Sequence, residues 1–328
     1  MGLFDFLFKS KQKVSVTIQE TPHTNSNYEP WDKMKGNSKT DYSNAVFLNA
    51  FSHKPTMIPK SPDDCPRYVS YNLGIHDPIE KYKEFIKLGY FRDADAAEIL
   101  NTYKVPELKE ILEKNGLSAS ARKKADLISQ IVECVSTSNM NLPPMYCISD
   151  QGQAYLEEHK DLIKLHRNPY GITYDEYIAT KQAVGHSRYN DIIWAVFNRR
   201  EMFAGGSHST IRRNAYDRAR FLQSENRHQE SLRHYIHAMY YEINDPIRII
   251  PDCVKADWDG YVSQLSPGIL EAIFELQEFY SVGMVDECFN GLYVPKILIS
   301  RKNFERLLGD IFAGNKIDIR NYIPKGLR

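Results

Sequence analysis

Residues 103–135 read YKVPELKEILEKNGLSASARKKADLISQIVECV, and the reading of the whole chain turns on this stretch. Pro106 suits the first turn of a helix, where its missing N–H leaves nothing unpaired. Val105, Leu108, Ile111 and Leu112 fall on one face at helical spacing. Asn115-Gly116 is a stop signal, because glycine enters the left-handed conformation without steric penalty. A second helix follows, with Leu127, Ile128, Ile131, Val132 and Val135 as its apolar stripe and Ser120 as its expected cap. The spacing predicts two short helices joined by a fixed loop, with Arg122, Lys123 and Lys124 in the first turn of the second. Cations there oppose the helix dipole. Beside free backbone N–H groups they suit a bound phosphate.

The residues Val105, Glu107-Leu108-Lys109, Leu112, Gly116-Leu117-Ser118, Lys123 or Lys124, and Leu127-Ile128 give the stretch a further property. In this pattern it resembles the SAP motif, a small helix–loop–helix module of DNA-associated proteins. The resemblance covers about 35 residues, roughly a tenth of the chain. Where that family usually has glycine before its lysine, Ala121 or Arg122 stands here. The resemblance implies binding to DNA backbone through the loop and the start of the second helix; so few contacts would make it weak and sequence-independent. Carried over residue by residue, the contacts are Lys104, Lys109, Ser120, Arg122, Lys123 and Lys124. An ordinary packing unit of two amphipathic helices shows surface lysines as well. Residues 98–133 carry six bases and six acids, and phosphate affinity scales with the number of neutralised contacts.

The 328 residues have room for two or three domains. Lys plus Arg equals Asp plus Glu at 42 each, so global charge gives no steering toward nucleic acid. Five scattered cysteines, Cys65, Cys134, Cys147, Cys253 and Cys288, exclude a zinc ribbon by spacing and point to reduced thiols in a cytoplasm. No apolar run is long enough for a membrane span.

The first residues, MGLFDFLFKSKQK, place an apolar run ahead of three lysines, the wrong order for a secretory signal. They suit either a surface or partner-docking helix or a segment packed on its own domain. Prolines at 22, 30, 55, 59, 62 and 66 among Asn, Ser and Thr make residues 1–66 an amphipathic start followed by a flexible linker, with one short helix within Asp41–Phe51. Residues 67–138 are then expected to form the SAP-like helical domain, entered through a helix at Pro78–Leu88 that Gly89 stops. The layout, with its MGLFDF start, resembles SAP-containing proteins of Firmicutes and their phages or mobile elements.

Residues 146–328 are expected to form an α-helical interaction domain. MYCISDQGQAYL resembles the strand-to-helix tail of a winged helix; the plainer reading is an extended link capped by Ser149. Periodicity predicts two helices within Tyr174–Ala204 separated near Gly185, a hairpin of Ile211–Leu222 and His228–Ile243, and helices at Ile269–Tyr280 and Lys302–Phe312. Ala219, Ser231, Tyr235 and Ala238 resemble one tetratricopeptide-like repeat. Eight arginines against four acids from Arg199 to His237 give a second basic face, represented by Arg212, Arg213, Arg220 and Arg227. With interleaved aromatics it suits nucleic acid or an acidic peptide. As a solvated helix face it would hold internal ion pairs, such as Asp217 with Arg213 or Arg220.

Catalytic signatures are missing. The chain has no P-loop, no G-x-G-x-x-G, no nucleophile elbow and no H-E-x-x-H. His228, His234 and His237 with Glu230 are more often surface histidines than ligands, and Asp252, Asp257 and Asp259 lack the lysine partner of a metal nuclease. The expectation is a mainly α protein without cofactor or metal. It would be a non-enzymatic DNA-binding adaptor whose C-terminal helices hold an unidentified protein, or a protein scaffold without nucleic-acid binding.

Overall fold

Helix α1 (Ser38–Phe51) carries the run Ala45-Val46-Phe47-Leu48, all essentially inaccessible to solvent. Four successive buried positions require neighbours on more than one side of a helix. In the computed structural model, which describes residues 38–185, 188–203, 208–245 and 264–324, those neighbours come from three places. Helix α2 (Tyr68–Tyr71) supplies Val69, and α3 (Pro78–Lys87) supplies Tyr82 and Phe85. Leu156 and Ile163 arrive from much later in the chain. The aromatic rings interlock: Phe47 meets Phe85 edge-on at 5.5 Å, and Tyr82 stacks on Phe91 at 4.6 Å.

This corrects the linker expectation over 38–66. The stretch after α1 is pinned by an isolated bridge, in which Thr56 and Tyr146 exchange backbone bonds of 3.0 and 2.8 Å. The Thr56 hydroxyl also meets the Tyr82 hydroxyl at 2.8 Å. The prolines there shape an ordered return path. Residues 1–37 lie outside the described residues, and with them the apolar start.

The α3 helix begins as its sequence directs, with Asp77 accepting from the Glu80 N–H and Pro78 in the first position. Strand β1 (Phe91–Asp93) follows. It pairs antiparallel with β2 (Tyr146–Ile148) in the register Phe91 with Ile148, Arg92 with Cys147 and Asp93 with Tyr146. Everything between these strands is an excursion from a two-stranded base. It contains α4 (Ala96–Leu100), α5 (Val105–Lys114), α6 (Lys124–Cys134) and the short α7 (Thr137–Met140). The excursion has its own core of Leu100, Leu108, Leu112, Leu127, Ile131, Val135 and Met140. The expected boundary between residues 138 and 146 therefore marks the return of the chain to a shared base. The core around α1 draws on both sides of it.

After β2, Ser149 caps α8 (Asp150–Glu158), its hydroxyl accepting from the Gly152 N–H at 3.0 Å. A break at His159 leads into α9 (Lys160–Arg167). Helices α10 (Tyr174–Val184) and α11 (Tyr189–Phe203) flank Gly185 at φ +75°, as the periodicity predicts, and enclose a third core around Tyr177, Ile192, Val196 and Phe197.

The hairpin of α12 (His208–Ser224) and α13 (His228–Ile243) forms the C-terminal scaffold. Leu232, Ile236, Met239, Tyr240 and Ile243 recur at helical spacing into the fourth core. Small residues let the two helices approach closely: Ala219 and Ala238 are fully buried, and the buried Ser231 hydroxyl donates to the Ala219 carbonyl at 2.8 Å. Helices α14 (Pro267–Glu275), α15 (Gly283–Gly291) and α16 (Arg301–Phe312) complete that core. Buried polar groups tie them to α13. Asn244 accepts from the Leu298 N–H at 2.6 Å, and Glu242 accepts from the Ser266 N–H at 3.0 Å.

Candidate nucleic-acid interface

The excursion between β1 and β2 presents the sequence-predicted contacts. Lys104 occupies the cap position of α5, where its N–H donates to the Glu107 carboxylate, and Pro106 lies in the first turn. Gly116 at φ +70° turns the chain out of α5, while Leu117 N–H returns to the Leu112 carbonyl at 2.9 Å. From Ser118 the loop alternates. Ala119 and Ala121 pack toward the small core, whereas Ser118, Ser120 and Arg122 face solvent. That two-residue period is the signature of extended backbone. Gln130 of α6 braces the loop by donating to the Ser118 carbonyl at 3.0 Å.

Two details of the sequence reading are corrected. Helix α6 starts at Lys124 with Lys123 in the cap position, so Ser120 lies in the extended loop and caps nothing. Only Lys124 of the three cations belongs to the first turn, and Arg122 precedes it. The reason is the alternation of the loop. Ala119 and Ala121 are held inward, so helical backbone begins only once the chain has passed them.

The consequence is an α6 start with no side-chain cap on its amides. Arg122 and Lys123 are exposed beside it, and Asp126 is the acid of that turn. Lys124 is half-buried, and its Nζ donates to the Asn101 carbonyl at 2.7 Å, which brings α6's start against the corner between α4 and α5. Among the described residues, none of Lys104, Lys109, Arg122, Lys123 and Lys124 forms an ion pair. Lys114, by contrast, is paired to Glu110 at 2.6 Å. Lys104 is exposed and Lys109 half-buried. Five positions apart, they lie about 140° from one another around the helix, so a flat ligand does not meet both squarely.

At the base of the excursion, Arg92 grips Glu98 with two bonds of 2.6 and 2.8 Å. The guanidinium holds the Glu98 carboxyl down to about 2. Glu98 also accepts from the Asp95 N–H and so closes the capping box of α4.

The second basic face is engaged within the protein. Arg212 lies 3.8 Å from Asp245, and Arg213 lies 3.7 Å from Asp217. Arg227 binds Glu230 at 2.6 Å and stacks over Trp194 at 5.0 Å. Arg220 lies over the rings of Tyr170 and Tyr216 at 5.8 and 5.9 Å. These arginines knit helices together and do not form a row of unpaired cations. Asp217 itself is buried, and burial pushes its carboxyl up against the pull of Arg200, Arg213 and Arg220.

Of the histidine group, His234 and His237 stand 5.5 Å apart in an edge-on pair. Burial drives His234 down to about 2 and His237 to about 4. Among the described residues no cluster of three metal-ligating side chains occurs. Asp252, Asp257, Asp259 and Cys253 lie outside the described residues. No described helix is long and apolar enough to cross a membrane. Comparisons with protein-family models, curated proteins and solved structures find no match to this chain.

Proposed function

We propose that the helix pair α5–α6 binds the phosphate backbone of DNA, and that the protein is a non-enzymatic cytoplasmic adaptor whose C-terminal helices dock a protein. The observation that carries this reading is the start of α6: amides without a side-chain cap beside Arg122 and Lys123, both exposed and without an ion pair among the described residues. Helix N-termini and guanidinium groups both favour phosphate oxygens. Few contacts are available, so binding is weak and strongly salt-dependent. Its specificity for sequence is low, because backbone contacts position a protein on DNA without reading bases.

The test is a salt-dependent DNA titration of the full chain. Replacing Arg122, Lys123 and Lys124 by alanine should weaken binding and flatten the slope of log K against log salt by about 2–3. No affinity of the wild type at low salt would sink the reading. The alternative, a protein-binding scaffold without nucleic acid, draws on the internal pairing of Arg212, Arg213 and Arg227 and on the charge balance of residues 98–133. The same DNA titration separates the two, since both readings keep a protein partner and only the first requires affinity for DNA at low salt.

A further inference from the structure

A groove of ≈ 420 Å³ lies where the C-terminal end of α1 meets α8 and α9, lined by Asn49, His53, Lys160, Lys164 and Arg167 among others. That volume falls within the roughly 300–1,000 Å³ typical of small-molecule sites. The sequence of α9 explains the charge. Leu162, Ile163 and Leu165 face inward and are buried, which turns Lys160, Lys164 and Arg167 outward at i, i+4 and i+7 along one line.

The three cations differ in what holds them. Lys160 is paired to Glu157, the one carboxylate among the groove's lining residues. Lys164 donates instead to the Asn190 amide oxygen at 3.2 Å, and Arg167 donates to the Asn49 amide oxygen at 3.2 Å. Neither forms an ion pair among the described residues. A neutral amide fixes a cation's position without cancelling its charge. The Lys164 ammonium also rests over the Tyr189 ring at 4.2 Å. Arg167 is thus held on the groove side by Asn49, and Lys164 on its α11 side by Asn190 and Tyr189, so both lose part of their rotamer freedom before an anion binds, which lowers its entropy cost. A guanidinium presents paired donors that match phosphate oxygens, and an adjacent ammonium adds a point charge.

We propose that this groove holds a phosphate group, with Lys164 and Arg167 as its binding residues. The phosphate belongs either to a free small molecule or to a nucleic-acid strand, and two probes tell these apart. Full-length protein is titrated calorimetrically with pyrophosphate and, separately, with an unstructured single-stranded oligonucleotide, at ionic strength matched with chloride. Wild type is compared with K164Q/R167Q and with R122Q/K123Q. Both altered pairs are exposed and glutamine keeps the apolar stems, so far-UV circular dichroism should be unchanged.

The expected result is that K164Q/R167Q weakens at least one probe by about tenfold or more. A loss for pyrophosphate assigns a free ligand, and a loss for the oligonucleotide alone assigns a strand. R122Q/K123Q reports separately on the α6 tip, so failure there leaves the groove standing. Unchanged affinity of both probes in K164Q/R167Q, or no binding of either to wild type, overturns the proposal.

Discussion

The Lys124 ammonium donates to the Asn101 carbonyl at 2.7 Å and thereby ties the start of α6 to the corner before α5. One of three neighbouring cations is thus committed to the fold, while Arg122 and Lys123 remain exposed. The single variants should separate accordingly. K124A should lower stability by about 1.5 kcal/mol or somewhat more, the net worth of one hydrogen bond from a charged group. R122A and K123A leave stability within about 0.5 kcal/mol, as surface changes usually do. Under the proposed DNA contact the order should reverse, with R122A and K123A each reducing the salt slope by about 1 and K124A by less. Urea midpoints and salt titrations of the three proteins read both quantities. Equal DNA effects for all three would contradict the division.

Arg200 predicts a larger effect. Its Nε and Nη2 reach the two Glu176 carboxylate oxygens at 2.7 and 2.6 Å, and Nη2 also donates to the Gly171 carbonyl at 2.6 Å. Asp217 lies 3.8 Å from the same guanidinium, and its side chain is only 5% exposed. Removing Arg200 strands Glu176 and takes from the buried Asp217 the largest of the charges that hold it, leaving Arg213 and Arg220. R200A should therefore destabilise by about 3 kcal/mol, the usual result of breaking a buried pair. R200K, which keeps the charge but loses the planar fork, should fall between. R213A, whose side chain is 70% exposed, should change stability by less than about 0.5 kcal/mol. Chemical denaturation of the three variants ranks them, and an R213A cost matching R200A would refute the assignment.

Gly171 and Gly185 share a positive φ, +65° and +75°, but not their surroundings. A Cβ on Gly171 would come 2.0 Å from the Asp217 carboxylate, whereas among the described residues nothing stands within 4 Å of one on Gly185. G185A carries only backbone strain, about 1–3 kcal/mol at φ +75°, ψ −145°. G171A adds displacement of a buried carboxylate from Arg200 and should lose about 3 kcal/mol or more. Thermal melts of the two glycine variants make the comparison, and similar losses would show that the Asp217 contact relaxes freely.

The helix pair was legible because its apolar spacing and Gly116 are local signals. The cap of α6 was not, because Ser120 has the right chemistry but sits where Ala119 and Ala121 hold the loop extended. Hence S120A should leave stability within about 0.5 kcal/mol, while S149A should lose about 1–2 kcal/mol. Ser149 is the residue that accepts from Gly152 and donates to the Gly89 carbonyl. The helix within Asp41–Phe51 was legible, but its place in a core was not, because its partners Val69, Phe85, Leu156 and Ile163 come from further along the chain. The pairing of β1 with β2 is non-local: nothing in Phe91–Asp93 names Tyr146–Ile148 as its partner. For the second basic face, charge could be counted from sequence. The Arg227–Glu230 pair was also readable at i+3, but Asp245 beside Arg212 and the rings beneath Arg220 come together only in three dimensions.

His234 sets a pH dependence whose sign follows from its surroundings. Burial, then the neighbouring His237 and the charges of Arg218, Arg233 and Arg227, hold its folded value down at about 2. In the unfolded chain an imidazole titrates near about 6.5. The unfolded state therefore takes up a proton that the folded state refuses. The contribution of the group to stability is fully present above about pH 6.5 and is lost as pH falls toward the folded value, by about 1.4 kcal/mol per pH unit. Between pH 6.5 and 5 the loss should reach about 2 kcal/mol. Carboxylates held low, such as Glu98 at about 2, act in a separate window below their ordinary value of about 4.3. H234Q removes the titrating ring, so its urea midpoint should fall less steeply than the wild type's between pH 6.5 and 4.5. An identical slope in H234Q would show that the folded protein admits the proton by rearranging around the His234–His237 pair.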